Sequence, residues 1–332
     1  KLMNYKSIFN LLGILLGIFS LSFIPPLALA FIYSESGKEI FLYSFIFFSI
    51  LGASIWAATR QQNLPLNISD GFIITTLFWV VLACAGSIPF YFFGLGISDA
   101  IFESVSGITT TGATTIVGLD NLPKSILLYR QLLQWIGGMG LIVLAVAVMP
   151  ALGIGGGQLY KMELPGSHGN QKLTPKITDS AKALWKIYVG LTILCATLYL
   201  LSGMGLFDSI AHSLSTVAGG GFSTHDESIG YFNSAFVETI CIIFMLLSAA
   251  SFAVHYAAIF GGKPLKYFYD SEFRFFLSVV LLIILISLTI HTVSNSYVDF
   301  FSAFGSTIFH TVSLVTTSGF TTENFSLWPG FL

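Results

Sequence analysis

The sequence predicts an all-α polytopic membrane protein in which a helix, a re-entrant loop and a second helix recur along the chain. Three observations carry this. Of 332 residues, 55% are apolar and only 9% are Asp, Glu, Lys or Arg, whereas a water-soluble domain carries roughly a quarter charged residues. Seven stretches approach the roughly 20 apolar residues that a helix needs to cross a bilayer. A glycine-centred segment flanked by hydroxyl residues also appears three times, roughly 100 residues apart, and such a period reveals architecture.

Taken in order, the first stretch, 7–32, is too long for a cleaved signal peptide and has no small-residue cleavage site before Pro25 and Pro26. It reads as a membrane helix bent near that pair. Spans over 40–59 and 72–93 follow, then a short polar segment, 98–108. Spans over 127–151 and 183–201 come next, then a second short segment, 207–217. Spans over 236–260 and 273–291 precede the third, 300–315. The three short segments are too short or too polar to cross and return. They read as half-helices that enter from the outer side and turn back through the glycine strand, and such backbone is tolerated at membrane depth only where it lines a water-filled cavity. The resulting organisation is two N-terminal helices (1–70), a first pore repeat (71–152), a basic cytoplasmic loop (153–182), a second repeat (183–262) and an incomplete third (263–332).

Orientation follows from Lys and Arg. With the N-terminus inside, all fourteen basic residues except Lys38, Lys124 and Arg130 fall on cytoplasmic segments, as the positive-inside rule requires. A formal charge of −2 provides no cationic field for nucleic acid. Cys84, Cys195 and Cys241 lie far apart in apolar stretches without CxxC spacing, so they read as small core residues rather than a disulfide or metal framework.

The repeat aligns Glu103-Ser-Val-Ser-Gly-Ile-Thr-Thr-Thr-Gly112-Ala-Thr-Thr, His212-Ser-Leu-Ser-Thr-Val-Ala-Gly-Gly-Gly221-Phe-Ser-Thr and His310-Thr-Val-Ser-Leu-Val-Thr-Thr-Ser-Gly319-Phe-Thr-Thr. A serine precedes each glycine (Ser106, Ser215, Ser313), as does a β-branched aliphatic (Ile108, Val217, Val315). Hydroxyl residues follow it (Thr114 and Thr115, Ser223 and Thr224, Thr321 and Thr322). Loops of this kind suit a monovalent cation. Their backbone carbonyls, set in a ring, replace the hydration shell; glycine adopts angles closed to other residues and leaves the axis unobstructed; Thr and Ser add uncharged oxygens. The inward C-terminal ends of the half-helices carry partial negative charge. Asp99, Asp120, Asp208, Asp226, Glu227, Asp299 and Glu323 line the outer loops, either as an acidic vestibule that concentrates cations or as ordinary solvated charges. Glu103 is expected to sit behind the loop in a structural hydrogen bond.

On these residues, together with Gln134-Trp-Ile-Gly-Gly-Met-Gly-Leu-Ile-Val-Leu-Ala-Val-Ala-Val-Met-Pro150, Lys172-Leu-Thr-Pro-Lys, Ala181-Lys-Ala-Leu-Trp-Lys-Ile-Tyr188 and Gly220-Gly-Phe-Ser-Thr-His-Asp226, the chain resembles the Trk/Ktr superfamily of potassium transporters over essentially its whole length. The TrkH-like branch matches better, because it has two extra spans ahead of the first repeat. The resemblance implies a pore of four helix–pore loop–helix units, as in potassium channels. It also implies a homodimer in the lipid of the bacterial inner membrane, control by a cytosolic TrkA-like nucleotide-binding subunit, and potassium as cargo with no covalent cofactor. Carried over residue by residue, the cation-binding positions are Thr109, Thr110, Thr111 and Gly112; Ala218, Gly219, Gly220 and Gly221; and Thr316, Thr317, Ser318 and Gly319. Gly219 stands where a bulkier apolar residue is expected, which predicts a looser second loop. About three of four repeats are present, so the chain reads as C-terminally truncated, with the family's gating loop and fourth filter loop beyond Leu332.

Other motifs carry little. Gly153-Ile-Gly-Gly-Gly157 lacks the Lys-Ser/Thr of a phosphate loop, and the six histidines show no HExxH or i, i+4 pair. His225-Asp226-Glu227 reads as polar outer loop, and the basic segment 155–182 either enforces orientation or docks the regulatory subunit. No catalytic constellation supports an enzyme. The competing transport mechanism is a sodium- or proton-coupled secondary symporter. It is disfavoured because the repeats share one orientation and Glu238 alone among acids lies within or beside a span.

Overall fold

A computed structural model describes residues 5–60, 68–151, 177–293, 300–324 and 328. Most of the basic loop, Asp299 and the Gly153–Gly157 run lie outside the described residues. The described chain is helical throughout its regular elements. Five of its helices are long and apolar enough to cross a membrane: Tyr5–Ile32, Lys38–Thr59, Asp70–Phe92, Lys182–Leu201 and Ser271–Val293. The protein is a multi-pass membrane protein, and its outer faces carry exposed Ile18, Ile50, Phe275, Leu281 and Leu282, as lipid contact demands.

The first span is helix α1 (Tyr5–Ser20), a single 3-10 turn (Leu21–Phe23) and α2 (Ile24–Ile32). The prolines fall in the first turn of α2, where a missing N–H leaves no hydrogen bond unmade, and the tightened turn ahead of them is the bend. Helix α3 (Lys38–Thr59) returns beside α1. The crossing is close because a Cβ at Gly52 would lie 2.7 Å from the Gly13 carbonyl oxygen, the small-residue packing by which membrane helices associate. Ser20 and Ser49 share a 2.9 Å hydroxyl contact across it.

Helix α4 (Ile68–Phe92) leads to the first half-helix, α5 (Ile97–Ile108), and then α6 (Lys124–Ala151). Glu35, from the turn between α2 and α3, accepts the Lys124 and Ser125 backbone N–H groups at 2.7 and 3.1 Å. It thereby satisfies donors that the start of a helix leaves orphaned. Tyr129 of α6 packs among Phe23, Phe41 and Phe90, tying the N-terminal helices to the first repeat. Helix α7 (Ile177–Leu201), half-helix α8 (Leu206–Ala218) and α9 (Ala235–Ala249) form the second unit. A second core of Met139, Tyr188, Tyr199, Cys241, Phe244 and Phe309 joins it to the third.

Two expectations are corrected. The span predicted over 236–260 is broken: α9 stops at Ala249, Ala250 is extended (ψ 142°), and α10 (Phe252–Ile259) starts anew. His255 bridges the break, with Nε2 2.9 Å from the Leu247 carbonyl and Nδ1 2.6 Å from the Tyr267 hydroxyl. Cys195 and Cys241 are core residues, but Cys84 is exposed. The short α11 (Lys266–Tyr269), α12 (Ser271–Val293) and half-helix α13 (Phe300–Val315) complete the described elements.

Candidate functional site

The first two half-helices begin alike, and all three end alike. Gly96 and Gly205 precede α5 and α8 with ψ near 150° (155° and 150°) and φ −59° in both, and Asp99 and Asp208 lie in the first turns, where the helix dipole favours a carboxylate. At the C-terminal ends, the N–H groups of Thr111, Gly220 and Ser318 donate to the carbonyls of Ser106, Ser215 and Ser313 at 2.9, 3.0 and 2.9 Å. Those of Thr110, Gly219 and Thr317 donate to Gly107, Thr216 and Leu314. These are three Schellman caps. The recurring serine is the residue whose carbonyl closes each one.

The cap requires a left-handed residue at its turning point. Thr110 (φ 53°), Gly219 (φ 69°) and Thr317 (φ 59°) all supply it, and Gly112, Gly221 and Gly319 are left-handed again at 78°, 77° and 81°. The intervening Thr111, Gly220 and Ser318 are not. Such alternation turns successive peptide N–H groups to one side and the carbonyls to the other. Gly219 takes the same left-handed turn as Thr110 and Thr317. Glycine is the natural occupant of that conformation, and the two β-branched threonines are the strained ones.

The three loops meet around a common centre. A Cβ at Gly112 would lie 2.1 Å from the Gly220 carbonyl oxygen, and one at Gly221 would lie 1.7 Å from the Ser318 carbonyl oxygen; at Gly319 nothing among the described residues lies within 4 Å. Each of the first two glycines thus makes room for the carbonyl that precedes the glycine of the next loop, the same neighbour relation twice over. All twelve predicted positions, Thr109 to Gly112, Ala218 to Gly221 and Thr316 to Gly319, lie at or just beyond the half-helix ends.

The hydroxyls, by contrast, serve as scaffold. Thr109 and Thr316 donate to the Val105 and Val312 carbonyls at 2.7 and 2.8 Å, and each pairs with the hydroxyl two residues on, Thr111 at 2.8 Å and Ser318 at 3.0 Å. Ser106 and Ser313 donate to the carbonyls of Ala113 and Phe320 at 2.6 and 2.7 Å, closing each loop on its own helix. The oxygens that approach the neighbouring loops are the backbone carbonyls of Gly220 and Ser318.

Behind the loops, the aligned Glu103, His212 and His310 hold the strand that follows the glycine. Glu103 Oε1 accepts the Thr114 hydroxyl at 2.5 Å and the Thr115 N–H at 2.7 Å. His212 Nε2 lies 2.9 Å from the Ser223 hydroxyl, and the Thr322 N–H donates to His310 Nε2 at 3.3 Å. Arg130, one of the three basic residues assigned to the outer side, is fully buried. It pairs with Glu103 at 3.3 Å, donates to the Thr114 hydroxyl and the Ser223 carbonyl at 3.0 and 3.2 Å, and stacks 4.3 Å over Phe222. One guanidinium therefore fastens the first loop to the second. One turn on, Gln134 reaches the second loop with three hydrogen bonds. Sequence reasoning gave neither residue a role, although both fall on the helix that opens the Gln134–Pro150 run.

The outer acids are mostly clasps. Asp226 accepts the Gly118 and Leu119 N–H groups at 2.9 and 3.1 Å. Asp208 accepts the Thr224 hydroxyl at 2.8 Å, and Glu323 accepts from Ser306 and, at 3.0 Å, from Trp328. His225 is bonded to Asp120, lies 3.5 Å from Asp208 and stacks on Tyr231. Burial pulls its pKa down, but the carboxylates of Asp208 and Asp120 outweigh this and raise it above 6.5. The His225 hydrogen bond in turn holds Asp120 below 3.8.

Comparison with known proteins follows the same lines. The TrkH family model, described as a cation transport protein, matches residues 37–331. The Trk system potassium uptake protein TrkH of Vibrio parahaemolyticus is 48% identical over 335 residues, covering 99% of this chain and 69% of the relative. TrkH of Escherichia coli is 44% identical, covering 99% and 69%, and TrkG of the same organism 41%, covering 98% and 68%. The crystal structure of the potassium transporter TrkH from Vibrio parahaemolyticus superimposes with a TM-score of 0.87 at 45% identity, over 99% of this chain and 68% of that one.

Proposed function

The chain belongs to the TrkH family of cation transport proteins, and on that premise we propose that it takes up potassium through a channel-like pore lined by the carbonyls of the three loops. The observation that supports this most directly is the repeated neighbour relation, Gly112 against the Gly220 carbonyl and Gly221 against the Ser318 carbonyl. Carbonyls converging without side chains between them are what a dehydrated monovalent cation needs. Potassium is cargo in this reading, no covalent cofactor takes part and no bond is made or broken. The filter is Thr109 to Gly112, Ala218 to Gly221 and Thr316 to Gly319, arranged in pore repeats at 71–152, 183–262 and 263–332 after the N-terminal pair at 1–70.

The remaining features of the reading are a homodimer in the bacterial inner membrane with the N-terminus cytoplasmic, gated by a cytosolic TrkA-like nucleotide-binding subunit. Within the basic loop, 153–182, the segment 155–182 is the one assigned to meet it. Symport coupled to sodium or protons is not favoured. The repeats run in one orientation, and Glu103, the buried acid beside the loops, is committed to Arg130, Thr114 and Thr115.

The test is rubidium uptake by potassium-starved cells that lack their own uptake systems and express the complete protein. Uptake above an empty vector, competed by potassium and not by sodium, is expected. Uptake at the vector level overturns the reading.

A further inference from the structure

The second loop lacks the hydroxyls that brace the other two. Thr109 and Thr111, and Thr316 and Ser318, form a hydroxyl pair behind their strands; the aligned residues in the second loop are Ala218 and Gly220. Ser106 and Ser313 also close their own loops, whereas Ser215 donates elsewhere, to Gln134 Oε1 at 2.6 Å. The same oxygen accepts the Phe222 N–H at 3.1 Å, and Gln134 Nε2 donates to the Gly220 carbonyl at 2.6 Å.

The orientation of this amide is fixed by its neighbours, since a backbone N–H can only donate and a carbonyl can only accept. Its place is fixed too: a Cβ at Gly220 would lie 2.4 Å from the Gln134 amide carbon, so the side chain fills the volume that the missing Gly220 side chain leaves. Gln134 is fully buried and is delivered by α6, which also touches both neighbouring half-helix ends. A Cβ at Gly137 would lie 1.9 Å from the Ile108 carbonyl oxygen, and one at Gly138 would lie 3.3 Å from Ala218.

We propose that Gln134 is a specificity-determining positioning residue, a side chain from the first repeat that replaces the missing hydroxyl brace of the second loop and sets where the Gly220 carbonyl stands. That carbonyl is the one packed against Gly112, so its position sets the spacing between the first two loops. The inference rests on the cation-pore reading above. Its own content is the exchange of a hydroxyl brace within one loop for an amide brace supplied from another repeat.

The exchange can be reversed. In the complete protein in membranes, Gln134→Ala removes the brace and Gly220→Ser drives a side chain into the amide. Each is expected to lower the potassium-to-sodium uptake ratio about tenfold, the scale of a buried carbonyl left without its donor. Gln134→Ala combined with Gly220→Ser restores a hydroxyl at the position of Thr111 and Ser318, and its ratio is expected within about threefold of wild type, a coupling only neighbouring residues show. A double variant no more selective than the worse single, or singles as selective as wild type, overturns the proposal. If a single variant does not accumulate, the double decides alone: accumulation with near-wild-type selectivity supports it, and loss of either overturns it. A wild-type protein that does not prefer potassium would instead overturn the pore reading itself, so the two failures are distinct.

Discussion

Gly112 and Gly221 are constrained by more than handedness, although the sequence presents the three loop glycines alike. Left-handed backbone costs a residue with a Cβ about 1–2 kcal/mol, and this applies at Gly112, Gly221 and Gly319 equally. At Gly221 and Gly112 the added atom also meets a carbonyl oxygen, at 1.7 and 2.1 Å. Alanine substitution is therefore expected to erode potassium-over-sodium uptake more at Gly221 than at Gly112; equal effects at the two would show that strain alone matters. His225 offers a second test. Because its pKa is raised above 6.5 in the folded protein, the protonated clasp with Asp120 and Asp208 contributes fully below 6.5 and fades as pH climbs through the folded value. Asp120, held below 3.8, loses its share only in acid. The melting temperature in detergent is expected to fall as pH rises above about 6.5, and His225→Gln should flatten that slope. A wild-type slope unchanged by the substitution would remove His225 as its source.

At the scale of elements, α6 is the post on which the first two loops hang. Its start is held by Glu35, its first turns present Arg130 and Gln134, and its glycines let the ends of α5 and α8 approach. The Arg130–Glu103 pair is fully buried, and removing one member of such a pair costs about 3–5 kcal/mol, because the other charge is left uncompensated. Arg130→Met is expected to destabilise the protein on that scale, and Glu103→Gln with Arg130→Met to recover much of the loss, as read by thermal unfolding. A double variant no better than the single would mean that the Ser223 carbonyl contact, not the charge pair, is what matters. The run containing α6 was legible as a family motif. Why the helix bears a Gln and an Arg was not, because their partners lie 16 to 93 positions away in a chain whose local pattern says only "apolar helix".

At the scale of the whole molecule, membrane orientation is set by where basic residues fall. Single cysteines at Lys124 and Arg60 in a cysteine-free background should behave oppositely in intact cells: the first blocked by an impermeant thiol reagent, the second protected until the membrane is opened. The reverse pattern would place the N-terminus outside.

The sequence by itself determined the helical membrane class, the spans, the half-helices and the threefold glycine repeat, since apolar length and residue periodicity are local properties written directly in the order of residues. It also placed Glu103 correctly behind its loop. Composition does not reveal handedness, so the sequence did not show that Thr110, Gly219 and Thr317 share one left-handed turn. It missed the break at Ala250, where an apolar run stays apolar whether or not its backbone is helical. Only the tertiary structure decided that hydroxyls brace while carbonyls converge, and that Arg130 and Gln134 serve loops other than their own. Such contacts join residues far apart in the chain, and which partner satisfies a buried polar group depends on what the fold brings within 3 Å of it.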